Sequence, residues 1–198
     1  SDIQLEEVGN PIRFNWNKCK LETISYGHGI TTTPLQAATV YASIANGGNI
    51  IKPNLIRKKS ENYGRLFSKE TSENINKILR KVVTDDNGTA SLADVHGYFV
   101  GGKTGTSQNY YYKNNNLNTF ISIFPTQKPK FVLLVMLENP KVAKNLIYDY
   151  RGMKIKTLRN EAGWNSVYIT GKIIRKIGPI LAINNKDFNN QHVVKKTN

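Results

Sequence analysis

Hydrophobic and polar positions alternate in several distinct rhythms along this chain. Leu35, Ala38, Ala42 and Ala45 fall at helical spacing. Thr33-Pro34-Leu35-Gln36 writes the start of that helix, with Thr33 as cap, Pro34 at the first helical position and Gln36 closing a capping box. Asn46-Gly47-Gly48 ends it. A second helix is predicted from about Ser68, with Ile75, Ile78, Leu79 and Val82 as its buried stripe. Lys77, Arg80 and Lys81 lie toward its C-terminus, where cations suit the helix dipole. Asp85-Asp86-Asn87-Gly88 then reads as a turn.

Three strands follow in the pattern. They are Tyr98–Thr106 with its three glycines, the alternating Thr119–Phe124, and Phe131–Leu137, apolar throughout and so expected to be central and covered on both faces. The short link Pro125–Lys130 makes the last two a hairpin. The polar stretch Glu138–Gly163 has no firm period. A last helix is predicted over about Asn165–Ile183, burying Ile169, Ile173, Ile177 and Leu181, with Ile174 and Ile180 widening its apolar face and Gly178-Pro179 bending it. Residues 1–183 thus read as one domain and residues 184–198 as a polar, disordered tail. Helices first, then strands, then a helix indicate α+β, an antiparallel sheet flanked by helices, rather than βαβ repeats.

Composition narrows the chemistry. With 198 residues, 39% hydrophobic and 21% charged, a packed core is expected. The longest apolar run is far short of the ~20 residues of a membrane helix. One cysteine, Cys19, excludes an internal disulfide framework, and three scattered histidines give no metal-ligand spacing. No metal or cofactor is expected. The net charge of +14 is uneven: residues 101–198 carry 16 Lys and Arg against 4 Asp and Glu. That balance suits an anionic partner, yet Lys, Asn and Ile, all with A/T-rich codons, make up a third of the chain, and genome composition explains much of it equally well. The aromatic and Lys/Arg-Gly patterns of RNA-binding modules are absent, so no nucleic-acid partner is expected.

The chemistry concentrates in Gly97-Tyr98-Phe99-Val100-Gly101-Gly102-Lys103-Thr104-Gly105-Thr106-Ser107. Gly97 to Thr104 satisfies the phosphate-binding pattern G-x-x-x-x-G-K-[ST]. A P-loop nucleotide hydrolase, however, needs a loop here and a helix directly after. Tyr98, Phe99 and Val100 prefer a strand, and Gly105-Thr106-Ser107-Gln108-Asn109 is a poor helix start. Lys-Thr-Gly on a strand instead resembles the K-T-G box of penicillin-binding proteins and class A β-lactamases, which implies acyl transfer on a peptide ending in a carboxylate. Gly105 removes the side chain that would block a substrate lying beside the strand. Thr104 and Thr106 offer hydroxyls to the carboxylate, and Lys103 supplies charge to it and to proton transfers. The Thr106 N–H can donate to an oxyanion, a contact worth about 2.7–4 kcal/mol.

Further stretches strengthen the second pattern. Ser25-Tyr26-Gly27-His28-Gly29-Ile30, Thr33-Pro34-Leu35-Gln36, Ala45-Asn46-Gly47-Gly48, Gly88-Thr89-Ala90, Glu138-Asn139-Pro140 and Gly163-Trp164-Asn165 together resemble class B penicillin-binding proteins, in their division-specific (FtsI-type) branch, over roughly residues 5–183. The resemblance implies a penicillin-binding/β-lactamase-like fold and a serine D,D-transpeptidase that cross-links peptidoglycan during cell division. It implies catalytic roles for Lys103 and Thr106, and substrate binding by Thr104, Gly105 and Thr106. Implied partners are the D-Ala-D-Ala stem peptide, β-lactam antibiotics and other division proteins, at the periplasmic face of the inner membrane.

One departure matters. The family's nucleophile lies in S-x-x-K, and no Ser in this chain is followed three residues later by Lys. Ser72-Glu73-Asn74 matches the second motif, S-x-N, but falls in the second helix on its expected polar side, far from where the family carries it. The resemblance thus implies the C-terminal portion of a transpeptidase domain. The nucleophile, membrane anchor and N-terminal half would lie outside these residues, and the chain alone would turn over no substrate. The alternative from another class is a non-catalytic module that keeps only the peptide groove. Among the remaining residues, His28 reads as part of a turn, Ser25 as a cap hydroxyl, Trp164 as an anchor for the last helix and Cys19 as inert. Tyr110, Tyr111 and Tyr112 either rim the groove or form a surface loop.

Overall fold

The computed structural model describes residues 16, 19–27, 29–55, 62–108 and 116–183. Helices α1 (Lys20–Ser25), α2 (Pro34–Ala45) and α3 (Lys69–Thr84) come first, followed by a 3-10 turn at Ser91–Ala93. Strands β1 (Gly101–Gln108), β2 (Asn116–Phe124) and β3 (Phe131–Glu138) form one antiparallel sheet in the order β1-β2-β3. A short hairpin, β4 (Tyr148–Tyr150) and β5 (Met153–Ile155), leads to α4 (Ser166–Ile183). The architecture is the expected α+β.

The helix starts follow the local chemistry of the sequence. Thr33 Oγ1 accepts from the Gln36 amide at 3.1 Å while Gln36 Oε1 accepts from the Thr33 amide at 2.9 Å, a complete capping box before Pro34. Ser68 caps α3 by accepting from the Thr71 amide at 3.0 Å. Gly47 and Gly48 then carry the chain out of α2 at φ of 66° and 84°, a conformation that costs glycine little.

Which faces are buried differs from the periodicity in three places. On α3 the buried positions are Ser72, Asn76, Leu79 and Val83, one step round from the expected stripe, and Ile78 stands 61% exposed. Polar residues occupy that face because it meets backbone. Ser72 Oγ donates to the Ile44 carbonyl at the end of α2, and the backbone of Leu79 and Arg80 packs against Gly101, where a Cβ would find no room. Ser72 is therefore buried rather than on a polar side. In α4 the fully buried positions are Ser166, Val167, Thr170, Gly171, Ile174 and Gly178. Ile169, Ile173, Ile177 and Leu181 are half-buried, and Ile180 is exposed. Gly171 and Gly178 select that face, since a side chain at 171 would collide with the Leu92 carbonyl and one at 178 with the Tyr98 ring. The helix runs through Pro179 to Ile183.

The third correction concerns β3. It is an edge strand among the described residues, and β2 is the central one. β2 is buried from Phe120 to Phe124, whereas most of β3 is half-buried with α2 and α4 packed against it. Its apolar run reflects cover on its faces rather than a strand on each side.

Alternation along β2 splits the sheet into two faces. Phe120 and Phe124 join Val83, Leu92, Val95, Val100, Tyr148, Val167 and Ile174 in the main core on the α4 side. Ile123, opposite Gly101, lies on the side covered by α3. The polar stretch after β3 conceals the β4–β5 hairpin, which the pattern did not reveal. It is held by Trp164, whose ring stacks on Tyr150 at 5.1 Å and meets Tyr148 edge-on at 5.3 Å. The expected tail at 184–198 lies outside the described residues.

Candidate active site

β1 is shaped by glycines with opposite surroundings. A Cβ at Gly102 would strike the Ile121 carbonyl and the Phe120 ring, so this end of the strand lies flat on the core. At Gly105 the nearest atoms to such a Cβ are 4.0 Å away, and the residue is exposed. β1 pairs with β2 on one side, with Lys103 opposite Ile121, Thr104 opposite Phe120, Gly105 opposite Thr119 and Thr106 opposite Asn118. On its other side no strand pairs with it among the described residues. A strand edge without a partner strand is what an added extended peptide requires.

The side chains of this segment divide between the two faces. Thr104 and Thr106 share a face with Gly102, and Lys103 shares the other with Gly105. Thr104 Oγ1 lies 3.0 Å from Thr89 Oγ1, and Thr106 Oγ1 accepts from the Ala162 amide at 3.2 Å. Lys103 is exposed and its Nζ donates to the Thr104 carbonyl at 2.8 Å. The geometry thus brings both threonine hydroxyls together on one side of the strand and holds the ammonium against the strand's backbone.

Behind Thr106 a chain of asparagines fixes the loop that precedes α4. Asn118, fully buried and opposite Thr106, donates to the Asn160 carbonyl at 2.5 Å, while its own Oδ1 has no partner. Asn160 Nδ2 donates to the Pro140 carbonyl at 2.7 Å, and Asn165 Nδ2 reaches Asn160 Oδ1 at 3.1 Å. Asn139 closes the start of β2 by accepting from the Asn116 amide at 3.1 Å. Sequence reasoning assigned no role to Thr89, Asn118 or Asn160. Asn118 left no readable sign, since it falls just before the expected strand Thr119–Phe124, in an asparagine-rich stretch.

The remaining sequence candidates lie apart from β1 or outside the described residues. His28 and Tyr110–Tyr112 fall among the latter. Ser25 Oγ donates to the Glu22 carbonyl at 2.6 Å within α1, and Cys19 is exposed at its start. The phosphate-loop alternative fails on geometry. Lys103 sits within a strand that pairs along its whole length, where that motif needs a loop followed at once by a helix.

Lys103, Thr104 and Gly105 thus lie on the edge strand of an α+β domain, with open space at the glycine. Comparison with known proteins supplies the family. The chain matches the penicillin binding protein transpeptidase domain over residues 1–157 and belongs to that family. It is 30% identical over 93% of its length to a probable peptidoglycan D,D-transpeptidase FtsI of Caulobacter vibrioides, of which it covers 32%. The chain spans about a third of the length of this curated relative. The transpeptidase domain of penicillin-binding protein 3 from Burkholderia pseudomallei superposes with a TM-score of 0.67 at 25% identity, covering 84% of this chain and 48% of that one. Penicillin-binding protein 3 of Mycobacterium tuberculosis, complexed with ampicillin, superposes at 0.64 and 25%, covering 82% and 39%.

Proposed function

We propose that this chain is the Lys-Thr-Gly-bearing part of a serine D,D-transpeptidase that cross-links peptidoglycan stem peptides during division. The observation that carries the proposal is the open edge of β1 at Gly105. A peptide ending in D-Ala-D-Ala lies along that edge as an added strand. The hydroxyls of Thr104 and Thr106 take its carboxylate, with Lys103 adding positive charge. A serine supplied by another part of the parent protein attacks the penultimate carbonyl, giving an acyl ester and releasing D-alanine. A neighbouring stem-peptide amine then attacks the ester and restores the serine. The Thr106 amide donates to the oxyanion that forms in each step.

β-Lactams enter by the same route, their ring opening onto the serine, in keeping with the ampicillin complex of a related protein. Partners under this proposal are the rest of the transpeptidase domain, the stem peptide and other division proteins. The place of action is the outer face of the inner membrane. Among the described residues no helix is long and apolar enough to cross a membrane.

The test is labelling by a fluorescent penicillin. The 198-residue chain, which carries no S-x-x-K, is expected to stay unlabelled. The same residues within the parent protein are expected to support labelling that Lys103→Ala largely removes. Covalent labelling of the isolated chain, or unchanged labelling in the Lys103→Ala parent protein, overturns the assignment. A module that only binds peptide would leave the parent protein unlabelled as well.

A further inference from the structure

One cavity of the described residues lies away from β1. A polar cavity of about 650 Å³ opens between the β4–β5 hairpin, the Ser91–Ala93 turn, the end of α3 and the first half of α4. Its walls carry four cations, Arg151, Lys154, Lys172 and Arg175, against two anions, Asp94 and Asp149.

The partners of these groups decide what the cavity can hold. Arg151 is committed to the Asp86 carboxylate at 2.5 Å and to the Asp85 carbonyl. Lys154 pairs with Asp149 at 2.8 Å. Asp94 takes Arg80, from outside the cavity, at 2.9 Å. Lys172 and Arg175 remain. Among the described residues neither makes a hydrogen bond or a close ion pair; Lys172 Nζ lies over the Tyr168 ring at 5.4 Å, and Arg175 acts on Asp149 only at longer range. Their positions, three apart on α4, place them on one helix face.

We propose that this cavity binds a phosphate group, held by Lys172 and Arg175. Two uncommitted cations match a compact dianion better than a single carboxylate. An arginine fork beside a lysine point charge suits phosphate oxygens. The phosphate can come free in solution or as a lipid headgroup. The second source gains from exposed Ile147 at the cavity wall and exposed Met153 on the adjoining strand, both available to an apolar surface. This inference does not depend on the role of β1.

The experiment titrates the 198-residue chain with inorganic phosphate and pyrophosphate, following backbone amide shifts by NMR and affinity by calorimetry at low salt. Sedimentation with vesicles of phosphatidylglycerol and phosphatidylcholine, and of phosphatidylcholine alone, forms the second arm. The expected result is a shift pattern centred on Ser91, Lys172 and Arg175, with affinity at least tenfold weaker in Lys172→Gln/Arg175→Gln. Lys77→Gln/Lys81→Gln on α3 removes the same charge and is expected to bind as the original does. Binding of free anions alone assigns the site to a soluble phosphate. Site-dependent binding of only the anionic vesicles assigns it to a headgroup. Shifts confined to other residues, an equal loss in both double variants, or no binding in either arm overturns the proposal. The shift map on the unaltered chain decides the matter even if a variant misfolds.

Discussion

The hydroxyl oxygens of Thr89 and Thr104 lie 3.0 Å apart, joining the turn after α3 to the middle of the edge strand. A hydroxyl carries one proton and two lone pairs. If Thr89 donates, Thr104 keeps its own proton for a bound carboxylate and is turned toward it. Thr89 then positions Thr104 without touching substrate.

That relationship can be measured in the parent protein. Thr104→Val is expected to slow penicillin labelling by about 10- to 150-fold, the worth of one hydrogen bond to a charged group at about 1.5–3 kcal/mol. Thr89→Val, which leaves the Thr104 hydroxyl in place, should slow it less. The double variant should match Thr104→Val alone, because Thr89 acts only through its partner. Additive losses would give Thr89 an independent role.

The two kinds of glycine in β1 should separate in the same way. Gly102→Ala forces a methyl against the Ile121 carbonyl and the Phe120 ring and is expected to cost about 1–3 kcal/mol of stability by urea denaturation. Gly105→Ala meets nothing nearer than 4.0 Å, so stability should hold or rise slightly. Labelling of the parent protein should nonetheless fall, since the methyl occupies the edge where substrate lies. A Gly105→Ala protein that labels normally would remove this edge from the site.

Legibility in the sequence followed the range of the forces involved. Thr33, Pro34 and Gln36 fixed the start of α2 through contacts within four residues, so the capping box was readable. Strand identity was readable for β1 to β3 because each run is long and bounded by Gly, Pro or polar residues. β1 nonetheless begins only at Gly101: Tyr98, Phe99 and Val100, expected in the strand, precede it, with Phe99 at a φ of 47°. The buried faces of α3 and α4 were not. Ser72 and Gly171 are buried by partners 28 and 79 residues away, the Ile44 and Leu92 carbonyls, and no local period records such a meeting. The β4–β5 hairpin was hidden because its three-residue strands are too short to show alternation. Lys103 to Thr106 could be named from a motif, whereas Thr89 and the Ala162 amide reach Thr104 and Thr106 only in three dimensions.

The hairpin supplies a pH-dependent prediction. Asp149 lies below the ordinary carboxylate range, chiefly through its hydrogen bond from Lys154 Nζ and that lysine's charge. A folded value below the unfolded one means the pair supports the hairpin above the ordinary aspartate value of about 3.9 and is lost as pH falls through the folded value. NMR titration should place the Asp149 midpoint below that of an ordinary aspartate. Lys154→Ala should move it upward. An unmoved midpoint would mean that another group holds Asp149 down.

Asn118 offers the sharpest test of the network behind Thr106. Its side chain is fully buried, donates to the Asn160 carbonyl at 2.5 Å, and leaves Oδ1 without a partner. Asn118→Ala removes the donor while Asn165 Nδ2 still reaches the same carbonyl at 3.2 Å, so a loss of about 0.5–1.5 kcal/mol, the net worth of one hydrogen bond, is expected. Asn118→Asp keeps the shape but replaces the donor with an oxygen facing a carbonyl oxygen. When ionised, it buries a charge with no compensating partner, and the loss at pH 7 should reach about 3–5 kcal/mol. Burial favours the protonated acid, so its folded-state value rises above the unfolded one and the penalty grows as pH climbs past about 3.9. Urea denaturation should therefore find Asn118→Asp closer to the original protein at pH 4.5 than at pH 7. Equal deficits at both pH values would mean that the aspartate escapes to water, and that Asn118 does not hold the loop beside Thr106.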